Sequence, residues 1–217
     1  MKRKSRTKKK SSLNKICNKV KKTYRKINKT YKKLDYNSNN GMLTAVWGPG
    51  MWFYLHTMSF NYPLNPTKKD KINYKNFILS LRNVLPCGKC RNNFVKNLKA
   101  YPIKKCHLKN RTNFSKYIYR LHEIINTMLG KKSNLTYCDV RDLYENFRAR
   151  CASDKTYKLK DLKKISRETG CTEPLYGHKA KCVLKIVSQK NKCKTLQVDK
   201  KCIKHKVKKT RKLKQKN

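Results

Sequence analysis

The chain has 217 residues, a length that suits one domain with extensions. Its 58 Lys and Arg residues outnumber 11 Asp and Glu, and the resulting net charge of +47 would oppose compaction if it were spread evenly. Residues 1–34 hold 16 Lys or Arg and no acid, and residues 179–217 hold 16 Lys or Arg with one acid. The positive charge is therefore concentrated at the two ends of the chain, which predicts a globular middle between two basic extensions.

Neither a leader peptide nor a membrane span is expected. The basic start is followed by no apolar run of the kind that a secretory signal requires. The longest uncharged stretch, residues 41–67, contains Gly48-Pro49-Gly50 and several Asn and Pro residues, which makes it a poor transmembrane helix. The ten cysteines are therefore expected to serve metal or redox chemistry rather than a secreted disulfide framework.

Residues 1–40 are rich in Lys, Asn and Ser and predict a disordered basic arm. An arm that docks onto an anionic surface or onto nucleic acid is the alternative. The composition changes at Gly41, because residues 41–67 carry no charged side chain and contain both tryptophans. In a chain this basic such a block must be buried, so we predict that the folded domain begins at residue 41.

The following segments show the apolar spacing of three and four residues that is typical of amphipathic helices. Asn113 is the expected cap of the clearest one, Gly130 its stop, and Asp139 the expected cap of a short last helix. The prediction is an all-α fold, a four-helix bundle plus a short fifth helix over residues 41–147. The apolar positions that support it include Tyr74, Phe77, Ile78, Leu81, Phe94, Leu98, Phe114, Tyr117, Ile118, Leu121, Val140 and Leu143.

Residues 148–217 predict a small Cys-bearing appendage that ends in a basic tail. A short helix is expected around residues 159–165, and residues 183–187 are the one plausible strand. The cysteines of this region, which match no tight metal signature, either staple the appendage or act as a shuttle dithiol, and we favour stapling. They include Cys171, Cys182, Cys193 and Cys202.

The first candidate for chemistry is Cys87-Gly88-Lys89-Cys90, a CxxC pair at a predicted helix start. As a redox pair it would gain from the helix N-terminus and the neighbouring basic residues, which favour a thiolate. As half of a zinc site it would need two more ligands, which Cys106 and His107 could supply. An inert buried pair is the third possibility, and the surroundings must decide among them.

Two histidines lie on predicted helices with a partner four residues away. Trp52 and His56 share one helix face, and His122 and Asn126 share another. A single histidine on an apolar helix face is usually a core residue whose ring nitrogens are hydrogen-bonded within the protein. Two such histidines with a CxxC pair between them in sequence favour the lining of a site for a flat aromatic cofactor, which spacing alone does not identify.

These motifs, in this order, resemble the Erv/Alr family of FAD-linked sulfhydryl oxidases. The resemblance covers residues 41–147 and is greatest to the members carried by giant DNA viruses of the mimivirus kind. It depends on four elements taken together: Trp52-x-x-x-His56, Tyr62-Pro63-x-x-Pro66, Pro86-Cys87-x-x-Cys90, and Leu121-His122-x-x-Ile125-Asn126-x-x-Leu129-Gly130-Lys131.

The resemblance implies a helical bundle that binds FAD non-covalently, usually as a homodimer. It implies that Cys87 faces the substrate and that Cys90 lies next to the flavin. The residues that would contact FAD by match are Trp52, His56, His122, Asn126, Lys131 and Tyr144. No metal ligand is implied.

One departure concerns a structural disulfide that the family often has between its fourth helix and the residue just before its last helix. Cys138 matches one position of that disulfide, but Tyr119 occupies the other, so Cys138 lacks its usual partner.

The implied activity is thiol oxidation, 2 R-SH + O2 giving R-S-S-R + H2O2. A substrate dithiol would reduce the Cys87–Cys90 disulfide, and the electrons would pass to FAD and then to dioxygen. The expected partners are dithiol proteins of the virus, dioxygen and a second copy of the chain, with nucleic acid or an anionic surface contacted by the basic tails. The expected locations are the viral factory in the host cytoplasm and the virion.

The rival hypothesis is a basic nucleic-acid-binding or packaging protein with a Cys/His zinc site. The net charge of +47 supports it, and its binding would weaken steeply with salt. It leaves the Trp52/His56 and His122/Asn126 pairs and the uncharged block without a role.

Overall fold

The structure is a computed structural model that describes residues 33–151, 170–188, 190–191 and 196–204. The predictions for residues 1–32, for a helix around residues 159–165 and for Cys193 lie outside these ranges. The described helices are α1 (Lys33–Asn37), α2 (Thr44–Phe60), α3 (Lys68–Val84), α4 (Gly88–Ala100), α5 (Arg111–Met128) and α6 (Tyr137–Glu145), with short 3-10 helices at Lys105–Leu108 and Lys200–Cys202.

The predicted all-α fold is confirmed, since four long helices, α2 to α5, and the shorter α6 make up the domain. Helix α2 continues through Gly48-Pro49-Gly50, with Pro49 inside the helix. The strand predicted at residues 183–187 is wrong, because these residues have no regular structure and Leu184 is 81% exposed. The two described strands, β1 (Ala149–Arg150) and β2 (Glu173–Pro174), pair antiparallel.

Capping residues fix where the helices begin. The side chain of Thr67 accepts a hydrogen bond from the backbone N–H of Asp70, whose carboxylate accepts one back from Thr67, a capping box that starts α3. The caps predicted for α5 and α6 are wrong by three residues. Asn110 caps α5 by accepting from the N–H of Asn113, and Thr136 caps α6 in a box with Asp139. Gly130, at φ 66°, ends α5 as predicted.

Two apolar clusters hold the helices together. The larger lies among α2, α3, α4 and α5, and the smaller joins α2 to α6. The larger cluster includes Leu55, Tyr62, Ile78, Leu81, Phe94, Phe114, Tyr117, Ile118 and Leu121, and the smaller consists of Phe60, Val140 and Tyr144. Among the described residues, no helix combines the length and the apolar character needed to cross a bilayer.

The C-terminal appendage is tied to the end of α6. A disulfide joins Cys151 to Cys171, next to the β1–β2 pair, and the Arg148 guanidinium donates to the Phe60 carbonyl at 2.8 Å and binds Glu145. The backbone N–H of Lys204 donates to the amide oxygen of Asn146 at 2.6 Å. This disulfide is a staple of the kind we favoured, but the same prediction is wrong for Cys182 and Cys202, because both are free thiols.

Residues 33–40 correct the prediction of a disordered arm up to residue 40. They form α1 and a turn that leads to Gly41, which makes an antiparallel bridge with Cys87. The backbone N–H of Met42 also donates to the Pro86 carbonyl at 3.1 Å. The end of the basic extension therefore packs directly against the CxxC segment.

Candidate active site

Cys87 and Cys90 form a disulfide at the start of α4. Cys87 is the N-cap of this helix, and its sulfur accepts a hydrogen bond from the backbone N–H of Cys90 at 3.2 Å. The free N–H groups of a first helical turn favour negative charge, so on reduction this position stabilises a thiolate. The pair that the sequence identified as the redox candidate is therefore bonded and placed where thiol chemistry is favoured.

Helix α2 connects this disulfide to the predicted cofactor residues. Its first residue, Thr44, places its hydroxyl 3.8 Å from the Cys90 sulfur. Trp52 and Cys90 both pack at the edge of the larger apolar cluster. With a rise of about 1.5 Å per residue, Trp52 lies roughly 12 Å along the helix from Thr44.

Thr44, Gly48, Trp52 and His56 recur every four residues and so share one face of α2. A methyl group placed on Gly48 would meet only the Thr44 methyl, at 3.7 Å, so the surface over Gly48 is open. The sequence analysis missed Thr44 and Gly48, although the four-residue spacing back from Trp52 was available as a signal.

The predicted aromatic and histidine residues come together from three helices. The Trp52 ring of α2 stacks on the His122 ring of α5, with centroids 3.9 Å apart and planes 8° apart. Nε2 of His56 lies 3.0 Å from Nδ1 of His122, and the His56 ring lies 5.2 Å from the ring of Tyr144 on α6. Trp52, His56, His122 and Tyr144 thus form one group, which we call the aromatic–histidine cluster.

Burial keeps this cluster uncharged. Burial and, to a lesser extent, the neighbouring His122 lower the pKa of His56 from 6.5 to about 3. Burial lowers the pKa of His122 to about 4, with Glu123 opposing the shift and Lys131 adding to it. Burial raises the pKa of Tyr144 to about 12. Both imidazoles and the phenol are neutral at pH 7, so one N–H is shared between the two histidines.

One polar atom in the cluster is left without a partner. Nδ1 of His56 is the only buried side-chain nitrogen or oxygen of the described residues that makes no hydrogen bond. A buried polar group without a partner is costly, and such groups often mark a place where a bound molecule completes the bonding. Aromatic faces, neutral histidines and an open helix surface together fit a flat, polar-edged cofactor.

Asn126 and Lys131 lie near the end of α5, beyond His122. The Asn126 amide donates to the carboxylate of Glu123 at 3.0 Å, and the backbone N–H of Lys131 donates to the Asn126 carbonyl at 2.8 Å. The Lys131 side chain is exposed. Neither residue is hydrogen-bonded to the aromatic–histidine cluster, but the charge of Lys131 acts on His122.

A metal centre is not favoured by the described residues. Within the described ranges, no group of three or more His, Cys, Asp or Glu side chains is arranged to hold a metal ion. Cys87 and Cys90 are bonded to each other, and Cys106 is exposed. The geometry supports a redox role for the CxxC pair over a zinc site.

Comparison with known proteins agrees with these features. The family model of the Erv1/Alr family matches residues 49–148. A protein of Acanthamoeba polyphaga mimivirus, named "Probable FAD-linked sulfhydryl oxidase R368", is 40% identical over 104 residues, which are 48% of this chain and 72% of that protein. The FAD-linked sulfhydryl oxidase of African swine fever virus is 28% identical over 46% of this chain and 80% of its own length.

A plant relative and a solved yeast structure are also similar to this chain. The FAD-linked sulfhydryl oxidase ERV1 of Arabidopsis thaliana is 30% identical over 39% of this chain and 42% of the plant protein. The crystal structure of the yeast Erv1 core aligns with a TM-score of 0.43 at 22% identity, over 54% of this chain and 91% of that one.

The site and the helical fold define a flavin-linked thiol oxidase of the α-helical type. The chain belongs to the Erv1/Alr family, as its similarity to the mimivirus protein shows. The family, the enzyme class and FAD as the cofactor of that class, all predicted from the sequence, are thereby confirmed.

Proposed function

We propose that this chain oxidises pairs of thiols in substrate proteins to disulfides, with electrons passing through Cys87–Cys90 to FAD and on to dioxygen, which leaves as hydrogen peroxide. The observation that carries the proposal is the Cys87–Cys90 disulfide at the start of α4, next to the helix that bears Trp52 and His56. The names of the relatives support the class of reaction.

The first step is thiol–disulfide exchange. A substrate thiolate attacks the Cys87 sulfur, forms a mixed disulfide and displaces Cys90 as a thiolate. The helix N-terminus stabilises that charge, and the Thr44 hydroxyl lies close enough to the Cys90 sulfur to assist. The second substrate thiol then displaces Cys87, so two electrons and two protons leave the substrate and the CxxC pair is reduced.

The aromatic–histidine cluster and the end of α5 would hold the FAD. Trp52 and His122 offer aromatic faces, His56 offers its unpaired nitrogen, and Tyr144 packs behind His56. Asn126 and Lys131 supply an amide and a positive charge at the end of the same helix. When bound, FAD supplies the two-electron chemistry that links dithiols to dioxygen. The neutral histidines bring no buried charge into this region.

The setting that we propose is viral. Substrates would be viral proteins made in the reducing host cytoplasm, and the enzyme would act at the viral factory, in the virion or in both. The similarity to proteins of two large DNA viruses supports this. A homodimer is proposed by analogy with the family, and the basic extensions would add contacts to nucleic acid or another anionic surface.

The test is the visible absorption spectrum of the purified full-length protein. We expect a flavin band that bleaches when dithiothreitol is added under nitrogen and returns in air. A colourless protein that stays colourless after addition of FAD, and that consumes no oxygen with dithiothreitol, would overturn the proposed function.

A further inference from the structure

A cavity of about 640 Å³ lies beside the redox disulfide, on the side of the N-terminal segment. Gly88 and Lys89, the two residues between the cysteines, form part of its wall, so the cavity adjoins the CxxC loop. Its lining consists of Asn40, Gly88, Lys89, Arg91 and Asn92, all of them polar or glycine. We call this the CxxC cavity.

Arg91 fixes the shape of the CxxC cavity. Its Nη1 donates to the carbonyl oxygens of Leu85 at 2.6 Å and of Asn39 at 3.2 Å. Its Nη2 donates to the side-chain oxygens of Asn40 at 2.5 Å and of Asn39 at 3.2 Å. The guanidinium therefore joins the end of the N-terminal segment to the loop before Cys87 and is held rigidly.

Gly88 allows the side chain of Asn40 to lie close to the backbone of the CxxC loop. A Cβ atom at Gly88 would lie 2.5 Å from the side-chain oxygen of Asn40, the atom that binds Arg91. Only glycine leaves room for this contact without a shift of Asn40. The cavity is therefore formed by specific contacts between Asn40 and the start of α4.

The positive charge at the CxxC cavity is not balanced within the described residues. All four acceptors of Arg91 are neutral oxygens, and the three ion pairs of the described part of the chain involve neither Arg91 nor Lys89. The Lys89 side chain is exposed.

The sequence around the cavity has almost no acid to supply that balance. Residues 33–122 contain 16 Lys and Arg but only two acids, Asp35 and Asp70. The carboxylate of Asp70 is already engaged by Thr67 in the capping box of α3. No carboxylate of this chain is among the residues that line the CxxC cavity, so the cavity is open to a carboxylate of another molecule.

We propose that the CxxC cavity docks acidic residues that flank the reactive cysteine of the substrate protein, so that the substrates are proteins with Asp or Glu next to the cysteine to be oxidised. The inference rests on the proposed function. Lys89 and the fixed Arg91 provide the charge, and Asn40 and Asn92 provide amide groups for hydrogen bonds to a carboxylate. Acidic neighbours normally disfavour a cysteine thiolate, and positive charge at the cavity removes that penalty at the point of attack on Cys87.

The test measures docking separately from turnover. Fluorescent peptides of one length, each with its two cysteines replaced by serine, carry Asp, Ser or Lys on both sides of the first position. Their binding to the full-length flavoprotein is followed by fluorescence anisotropy. We expect the acidic peptide to bind roughly tenfold more tightly than the basic one, and Lys89→Glu to abolish or reverse that preference.

A matched variant separates the cavity from the overall charge. Lys75→Glu on α3 changes the net charge by the same amount, at an exposed residue that does not line the cavity. It should leave the peptide preference within about twofold of the wild-type value. Equal loss of preference in Lys75→Glu and Lys89→Glu would assign the effect to the general field and overturn the proposal, as would the absence of any preference in the wild-type protein.

Turnover of the corresponding dithiol peptides and of dithiothreitol, measured as oxygen consumption, completes the experiment. If the protein oxidises dithiothreitol but turns over acidic and basic dithiol peptides at equal rates, the docking site is overturned and the proposed oxidase function is retained. Selective binding of the acidic peptide by a protein that does not oxidise dithiothreitol would support the docking site while the proposed function fails.

Discussion

The two ends of the proposed electron path differ in almost every physical respect. At the disulfide end, the groups around Cys87 are polar, basic and partly exposed, and the chain from residue 33 to 122 holds only two acids. At the proposed cofactor end, Trp52 stacks on His122, His56 and Tyr144 are buried, and both histidines and the tyrosine are neutral. The difference fits two tasks, since one end must meet charged protein chains in water and the other must keep water and charge away from a flat ring system.

The largest effect is expected at the disulfide end. Replacing either cysteine, as Cys87→Ser or Cys90→Ser, should lower dithiol oxidation by a factor on the order of 10³ or more, because no second sulfur is left to complete the exchange. Oxygen consumption with dithiothreitol measures it. Cys106→Ser, at an exposed free cysteine, is the control and should retain its rate. Normal turnover of either variant would show that Cys87 and Cys90 are not the redox pair.

The next effect concerns the cofactor end. Trp52→Ala removes the ring that stacks on His122 and should weaken FAD binding about 10–100-fold, since an aromatic contact of this size is worth about 1.5–3 kcal/mol. The ratio of flavin to protein absorbance after purification, followed by titration of the apoprotein with FAD, measures the loss. Trp52→Phe keeps an aromatic face and should lose far less. Full flavin content in Trp52→Ala would show that the cluster does not hold the cofactor.

A pH dependence should separate the two ends further. Burial lowers the pKa values of His56 and His122 to about 3 and about 4, so between pH 6.5 and about 4 the unfolded chain binds protons that the folded protein does not. Stability should therefore fall as the pH drops through this range, by up to about 1.4 kcal/mol per pH unit for each histidine.

Thermal unfolding of the apoprotein from pH 7 to 4 measures this dependence. His122→Phe should flatten it, and His178→Gln, at an exposed histidine of the appendage, should leave it unchanged. A wild-type Tm that does not fall over this range would contradict the burial of neutral histidines.

The smallest effect is expected where the N-terminal segment meets α4. Gly88→Ala forces Asn40 away and breaks its bond to Arg91, which should cost about 1 kcal/mol of stability. Gly50→Ala, whose added methyl meets nothing within 4 Å in the interior of α2, should instead be neutral or stabilising by up to about 1 kcal/mol. Denaturant unfolding of the two variants compares them, and equal effects would mean that the Asn40 contact contributes nothing.

Periodicity predicted the helices well because one buried face repeats along each of them. The caps were displaced by three residues for a physical reason. Each cap accepts a hydrogen bond from the backbone of the residue three positions further on, which is also polar, so Asn113 and Asp139 have the composition of caps although Asn110 and Thr136 fill that role.

Helical spacing could not predict contacts between residues that are far apart in the sequence. Helical spacing correctly placed His56 with Trp52 on one helix, but the 3.0 Å approach of His56 to His122 joins residues 66 positions apart and depends on how α2 packs against α5. Residues 183–187 have the composition of a strand, but among the described residues no strand pairs with them, and β propensity without pairing does not form a sheet. The order of residues 33–40 comes from Arg91, a partner that sequence spacing does not reveal.

Tyr119 stands where relatives often have a cysteine. Its hydroxyl donates to the Leu135 carbonyl at 2.7 Å, and its ring meets that of Tyr137, so α5 is fastened to the start of α6 without sulfur. Cys138 remains a free, exposed thiol, and within residues 41–147 the only disulfide is Cys87–Cys90, which opens and closes in the proposed reaction. The helices of the bundle are therefore held together without a structural disulfide, so their packing does not depend on the redox state of the surroundings. Reducing conditions should therefore open Cys87–Cys90 without loosening the apolar packing that joins α2 to α6.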